Sequence, residues 1–155
     1  MPLLLAAIVS PLLAAPVTVA VRGWKRGAVA AVLSLLVSAA MLSVSIGRGL
    51  KERYELEPTL GLVVLEGNDF NLAFSLAICL LSAAAVLCAP SFLERSRRRG
   101  TPASFYALYL ASAAALVAIP LSGTLTTFFV FFETYLVASW LLPLFWGVRV
   151  EGRQR

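Results

Sequence analysis

The chain has 155 residues, 60% of them apolar and 14% charged, where a soluble domain has roughly 45–50% and ~25%. With a mean hydropathy of +0.88, this balance excludes an ordinary soluble domain; the expected class is an all-α integral membrane protein, one transmembrane domain over residues 1–155. The net charge of +5 sits in short segments between apolar runs, which sets membrane topology and makes no case for nucleic acid, and the absence of histidine excludes His-based metal sites and proton relays.

Taken in order, the apolar runs predict five transmembrane helices. The first covers 3–21 and contains Pro11 and Pro16, which membrane helices tolerate when neighbours satisfy the freed carbonyls. No Lys or Arg precedes this run, unlike the start of a secretory signal. After a basic loop at 22–26, a second span over 28–46 is rich in Ala, Ser and Val, small side chains that let helices approach closely. The polar segment 47–69 follows. Within it, Leu62 to Leu65 have strand propensity and Glu66-Gly67-Asn68-Asp69 has turn chemistry, so a short strand or hairpin is expected over the helix ends.

A third span over 71–89 is expected to stop at Pro90, ahead of the basic stretch Glu94–Gly100, a cytoplasmic anchor that can also meet anionic lipid. Spans over 105–121 and 124–146 complete the set, joined by the tight Ser122-Gly123 connection. Cys79 and Cys88 are nine residues apart in one run, on opposite faces of a helix, and are expected to be small apolar packing residues, neither a disulfide nor a metal pair.

Charge fixes the expected orientation. Three basic residues lie at 22–26, four at 95–99 and three from Arg149 onward, ten of the thirteen on one side. The other side has Arg48, Lys51 and Arg53 against Glu52, Glu55, Glu57, Glu66 and Asp69. The positive-inside rule then puts the N-terminus outside and the C-terminus in the cytoplasm, in a multi-pass protein of the cell membrane.

Glu133 is the one acid or base in the interior of a predicted span. A charge at the centre of a membrane helix costs roughly 2.5–3.5 kcal/mol, and such residues usually serve transport. Residues three, four and seven positions away share its face: Thr126, Phe129, Val130, Leu136, Val137 and Trp140. That face is almost wholly apolar. The chain supplies no intramembrane Lys or Arg, so the carboxyl either meets a cation from another chain or works by protonation alone. The alternative is a helix–helix hydrogen bond with no transport role. Tyr106, Tyr109, Tyr135 and Thr126 are candidates to extend a polar path, against the commoner roles of packing and interfacial anchoring.

The run Phe105–Gly147 resembles the fourth and fifth helices of the antiporter-like proton-pumping subunits of respiratory complex I, which are similar to the large subunits of Mrp-type cation/proton antiporters and to membrane-bound hydrogenase subunits. The resemblance rests on Phe105-Tyr106-Ala107-Leu108, the Ser122-Gly123 turn, Phe129-Val130-Phe131-Phe132-Glu133, and Trp146-Gly147. Asn68-Asp69-Phe70-Asn71-Leu72 stands where that family enters its third helix, with Phe70 in a place where Gly is common, and Thr124 replaces a frequent acid or amide. The likeness extends over the chain but covers only the first five of about fourteen helices.

The resemblance implies that Glu133 matches the fifth-helix glutamate, which pairs with a lysine on the seventh helix and gates proton movement. That lysine lies outside this sequence. The expected function is therefore a split or partial antiporter-like subunit of a proton- or sodium-translocating complex of the NADH dehydrogenase or hydrogenase type. Its expected partners are the lipid bilayer, other membrane subunits including a chain that supplies the missing helices and the lysine, and, indirectly, hydrophilic redox subunits. An Mrp-type antiporter subunit, a small stand-alone proton-coupled transporter and a purely structural membrane subunit are the alternatives. No nucleophile–base pair or phosphate-binding loop occurs, so no catalytic centre and no cofactor are expected in this chain.

Overall fold

A computed structural model describes residues 3–20, 24–49, 52–56, 63–95 and 102–146. Five helices carry the chain: α1 (Leu3–Ala20), α2 (Trp24–Gly47), α3 (Asp69–Arg95), α4 (Pro102–Ala118) and α5 (Leu125–Trp146). Between α2 and α3 lies an antiparallel pair, β1 (Glu52–Leu56) and β2 (Val63–Gly67), in register from Glu52 opposite Gly67 to Leu56 opposite Val63. Helices α1, α2, α3 and α5 are each long and apolar enough to cross a membrane. The apolar part of α4, Ser104–Ala118, is shorter.

The helices alternate in direction, and three contacts show it. Leu4 at the start of α1 abuts Gly67 at the end of β2. The β2 strand in turn bridges Ser122, just beyond α4, through Leu65. At the opposite end, Tyr106 near the start of α4 packs its ring on Gly27 near the start of α2. Thus α4, although short, runs from one end of the bundle to the other.

Helices α1 to α4 close a ring in which α1 packs on α2 and α4, and α3 packs on α2 and α4. Its core is made of Leu4, Leu35, Leu42, Leu72, Leu110 and Val117 with many alanines, among them Ala7, Ala31, Ala39 and Ala113. Without water inside a bilayer to drive burial, close approach of small residues and interhelical hydrogen bonds supply the association. Those bonds are present. Ser75 Oγ donates to the Val117 carbonyl at 3.0 Å, Cys79 Sγ to the Leu35 carbonyl at 3.0 Å, and Tyr109 Oη to the Ser82 carbonyl at 2.9 Å.

The α1–α2 contact answers a proline. Pro11 has no N–H, so the carbonyl four residues earlier, on Ala7, loses its helical donor. Ser38 of α2 donates to that carbonyl at 2.8 Å, and its hydroxyl lies 2.7 Å from that of Ser10. A neighbouring helix thus satisfies the backbone group that the proline frees, as a membrane interior requires.

Several boundaries differ from the sequence expectation. Helix α2 begins at Trp24, inside the basic loop expected at 22–26. Helix α3 continues through Pro90 to Arg95, because one lost backbone bond does not end an otherwise apolar helix. Helix α4 occupies 102–118 where 105–121 was expected; Pro120 forces its C-terminal turn to open early. Of the strand or hairpin expected, the two-stranded form is present, and Glu66 and Gly67, expected as turn, are the end of β2. The true helix start is Asn68, whose Oδ1 accepts from the Asn71 N–H at 2.9 Å, an N-cap. The basic residues from 96 to 99 and the tail from 147 lie outside the described residues.

Candidate functional site

Helix α5 stands apart from the ring. Its substantial contacts are with α4 along its length and with β2 at its start. Only 11% of its apolar window is buried, against 28–39% for the other long helices. The covered side is the row Thr127, Phe131 and Ala138: Thr127 and Ala138 are buried, and Phe131 packs on the core.

The uncovered side carries Glu133. It is exposed, and so is every residue that helical spacing puts on its face: Thr126, Phe129, Val130, Leu136, Val137 and Trp140. Val137 is 58% exposed and Trp140 72%. The carboxyl therefore projects from the middle of a wide apolar surface. A carboxylate in such a setting requires a paired cation or a proton. Nothing in the described part of this chain faces it.

The start of α5 is built with more polar detail. Thr124 is the N-cap: its Oγ1 accepts from the Thr127 N–H at 3.2 Å and its carbonyl accepts from the Phe128 N–H at 3.0 Å. Thr127 Oγ1 lies 2.7 Å from Thr124 Oγ1 and accepts from the Val64 N–H of β2 at 2.8 Å. The Val64 carbonyl accepts from the Gly123 N–H at 2.7 Å, and Glu66 N–H donates to the Leu121 carbonyl at 2.7 Å. Gly123 is required here, since a Cβ would sit 2.9 Å from Val64 Cγ1 and 3.2 Å from the Val64 carbonyl oxygen. The β2 strand thus grips the chain on both sides of the α5 N-cap.

The other candidate residues do not gather around Glu133. Tyr106 is fully buried with its ring on Gly27, and Tyr109 is tied to α3 through Ser82; both are directed into the ring. Tyr135 is half-buried. Thr126 shares the open face, two turns before Glu133 on α5. Cys79 is buried and Cys88 exposed, both with free thiols, on the opposite faces that their spacing predicts. The residue that sequence reasoning missed is Thr127. Its only local signal was the Thr-x-x-Thr pattern at the head of an apolar run, an N-cap arrangement.

Compared with protein families, with curated proteins and with solved structures, the chain finds no match in any of the three.

Proposed function

We propose that the chain is a membrane subunit, part of a split antiporter-like subunit, of a proton- or sodium-translocating complex of the NADH dehydrogenase or hydrogenase type, with Glu133 in the ion path. The observation that carries this reading is the placement of Glu133. An acid at the centre of a membrane helix, on an open apolar face and with no cation among the described residues of its own chain opposite it, is a half-site. A second membrane chain with a Lys or Arg at the same depth would complete it. The Phe-Val-Phe-Phe-Glu pattern and the Ser-Gly turn, on which the resemblance rests, support the same assignment.

In this reading all five helices cross the cell membrane. The N-terminus, the β1–β2 pair and the α4–α5 turn are outside, and the C-terminus is in the cytoplasm. The shared end of the bundle, where β2 meets both Leu4 and Ser122, agrees with that alternation.

Mechanistically, a cation opposite Glu133 stabilises its ionised form and an approaching proton competes with that pairing, so proton arrival and ion-pair separation are linked. The chain itself holds the acid and its apolar surround; redox chemistry belongs to partner subunits. The test is purification from native membranes in mild detergent. The expected result is co-purification with a second antiporter-like membrane polypeptide and hydrophilic redox subunits. If both are absent, and the isolated chain transports ions in liposomes until Glu133→Gln abolishes it, a stand-alone transporter replaces this reading. If pumping by the complex survives Glu133→Gln while deletion of the chain prevents assembly, the subunit is structural.

A further inference from the structure

An apolar helix in lipid has no intrinsic preference for one rotation about its axis. Helix α5 is apolar on the side that packs on α4 save for Thr127, and on the other side save for Glu133, Thr126 and Thr134. Burial alone therefore sets its rotation weakly. Something else must decide whether Glu133 faces the partner or turns toward lipid or α4.

A directional contact is present at its first turn. Val64 is held at both of its backbone groups: its N–H by Thr127 Oγ1 at 2.8 Å and its carbonyl by the Gly123 N–H at 2.7 Å. The two grips bracket the N-cap, Thr124, so they fix rotation as well as position. Thr127 is fully buried and precedes Glu133 by six residues, about 9 Å along the axis and 240° around it at 1.5 Å and 100° per residue. A rigid helix transmits that azimuth to Glu133 without loss. The β2 strand is itself anchored, because Gly67 lies against Leu4 and Leu72 of the ring.

We propose that Thr127 is a positioning residue for Glu133: with Val64 of β2 it locks the rotation of α5 so that the carboxyl faces the partner chain. This rests on the reading of Glu133 as the translocation carboxyl. It assigns the β1–β2 pair a role in ion transfer, since displacing the strand would turn the helix that carries the acid.

The test is a nitroxide scan of α5 in the full chain, with Cys79 and Cys88 replaced by Ser and one label at a time at Phe132, Val137, Trp140 and Leu141, reading oxygen accessibility in lipid. With Thr127 intact the maxima fall at Val137 and Trp140. Thr127→Val should shift the phase of the pattern around the helix, and Thr127→Ser, which keeps the hydroxyl, should restore it. Gly123→Ala, whose Cβ would press on Val64 and loosen the same grip, should also shift the phase and serves if Thr127→Val does not fold. An unchanged phase in both overturns the proposal and leaves the role of Glu133 standing. In the assembled complex, Thr127→Val should also shift the pH profile of ion translocation, with Thr127→Ser restoring it; a shifted scan with an unmoved profile overturns the positioning role. Ion translocation that is indifferent to Glu133→Gln overturns the underlying reading instead, whatever the scan shows.

Discussion

The α1–α4 ring and helix α5 are made from the same kind of sequence but solve different problems. In the ring, polar side chains are turned inward and spent on neighbouring backbone: Ser38 on the Ala7 carbonyl, Ser75 on that of Val117, Tyr109 on that of Ser82. Alanines at the seams bring the helices close. In α5 the charged side chain is turned outward, large apolar side chains surround it, and one side only is packed. Hydrogen bonding that closes on itself makes a scaffold. An acid that finds no partner among the described residues of its own chain is what an interface would carry, and the contrast sets a self-contained ring against an open helix.

Substitutions should therefore separate the two regions. The largest effect is expected from Glu133→Gln: ion translocation by the assembled complex falls at least about tenfold, equivalent to ~1.4 kcal/mol or more, with no loss of thermal stability in the isolated chain. A comparable loss of chain stability would erase the distinction between scaffold and site.

Next is the ring. A Cβ on Gly27 would lie 2.6 Å from Tyr106 Cδ2, so Gly27→Ala overpacks the α2–α4 seam and should lower stability by about 1–3 kcal/mol, seen as an earlier unfolding transition in detergent. Trp140→Ala sharpens the comparison from the other side. The side chain is 72% exposed, so the isolated chain should unfold unchanged, while affinity for the partner chain drops by about 1–2 kcal/mol if this aromatic is an interface anchor, measured by retention of the partner during purification.

Ser38→Ala removes the donor to the Ala7 carbonyl, and interhelical hydrogen bonds in membranes average about 0.6 kcal/mol with a maximum near 1.7; a small destabilisation in this range is expected, softened because Ser10 Oγ lies 3.4 Å from the same carbonyl. The smallest effect belongs to the exposed Arg53–Glu55 pair at 3.1 Å: Arg53→Ala should change stability by no more than about 1 kcal/mol, and less at high salt.

Much of this contrast was legible from sequence. The apolar runs placed all five helices, with the ends off by up to six residues at α3, and the 100° spacing from Glu133 named six residues of the open face of α5. Periodicity worked there because an unpartnered helix follows its own geometry. It failed where tertiary contact decides. The β1 strand, Glu-Arg-Tyr-Glu-Leu, alternates over only four residues of a charged segment and is fixed by pairing with β2. The Thr127 bond to Val64 joins residues 63 apart, for which no local signal exists. Pro90 reads as a stop, yet α3 continues through it.

The most direct test of the account is photo-crosslinking from the open face of α5. With a benzophenone amino acid replacing Val137, one turn beyond Glu133, irradiation of native membranes should trap one second membrane polypeptide, and the trapped peptide should come from an apolar span containing a lysine or arginine. Adducts to lipid alone, or to another copy of this chain, would contradict the claim that α5 presents half of an ion pair to a partner subunit.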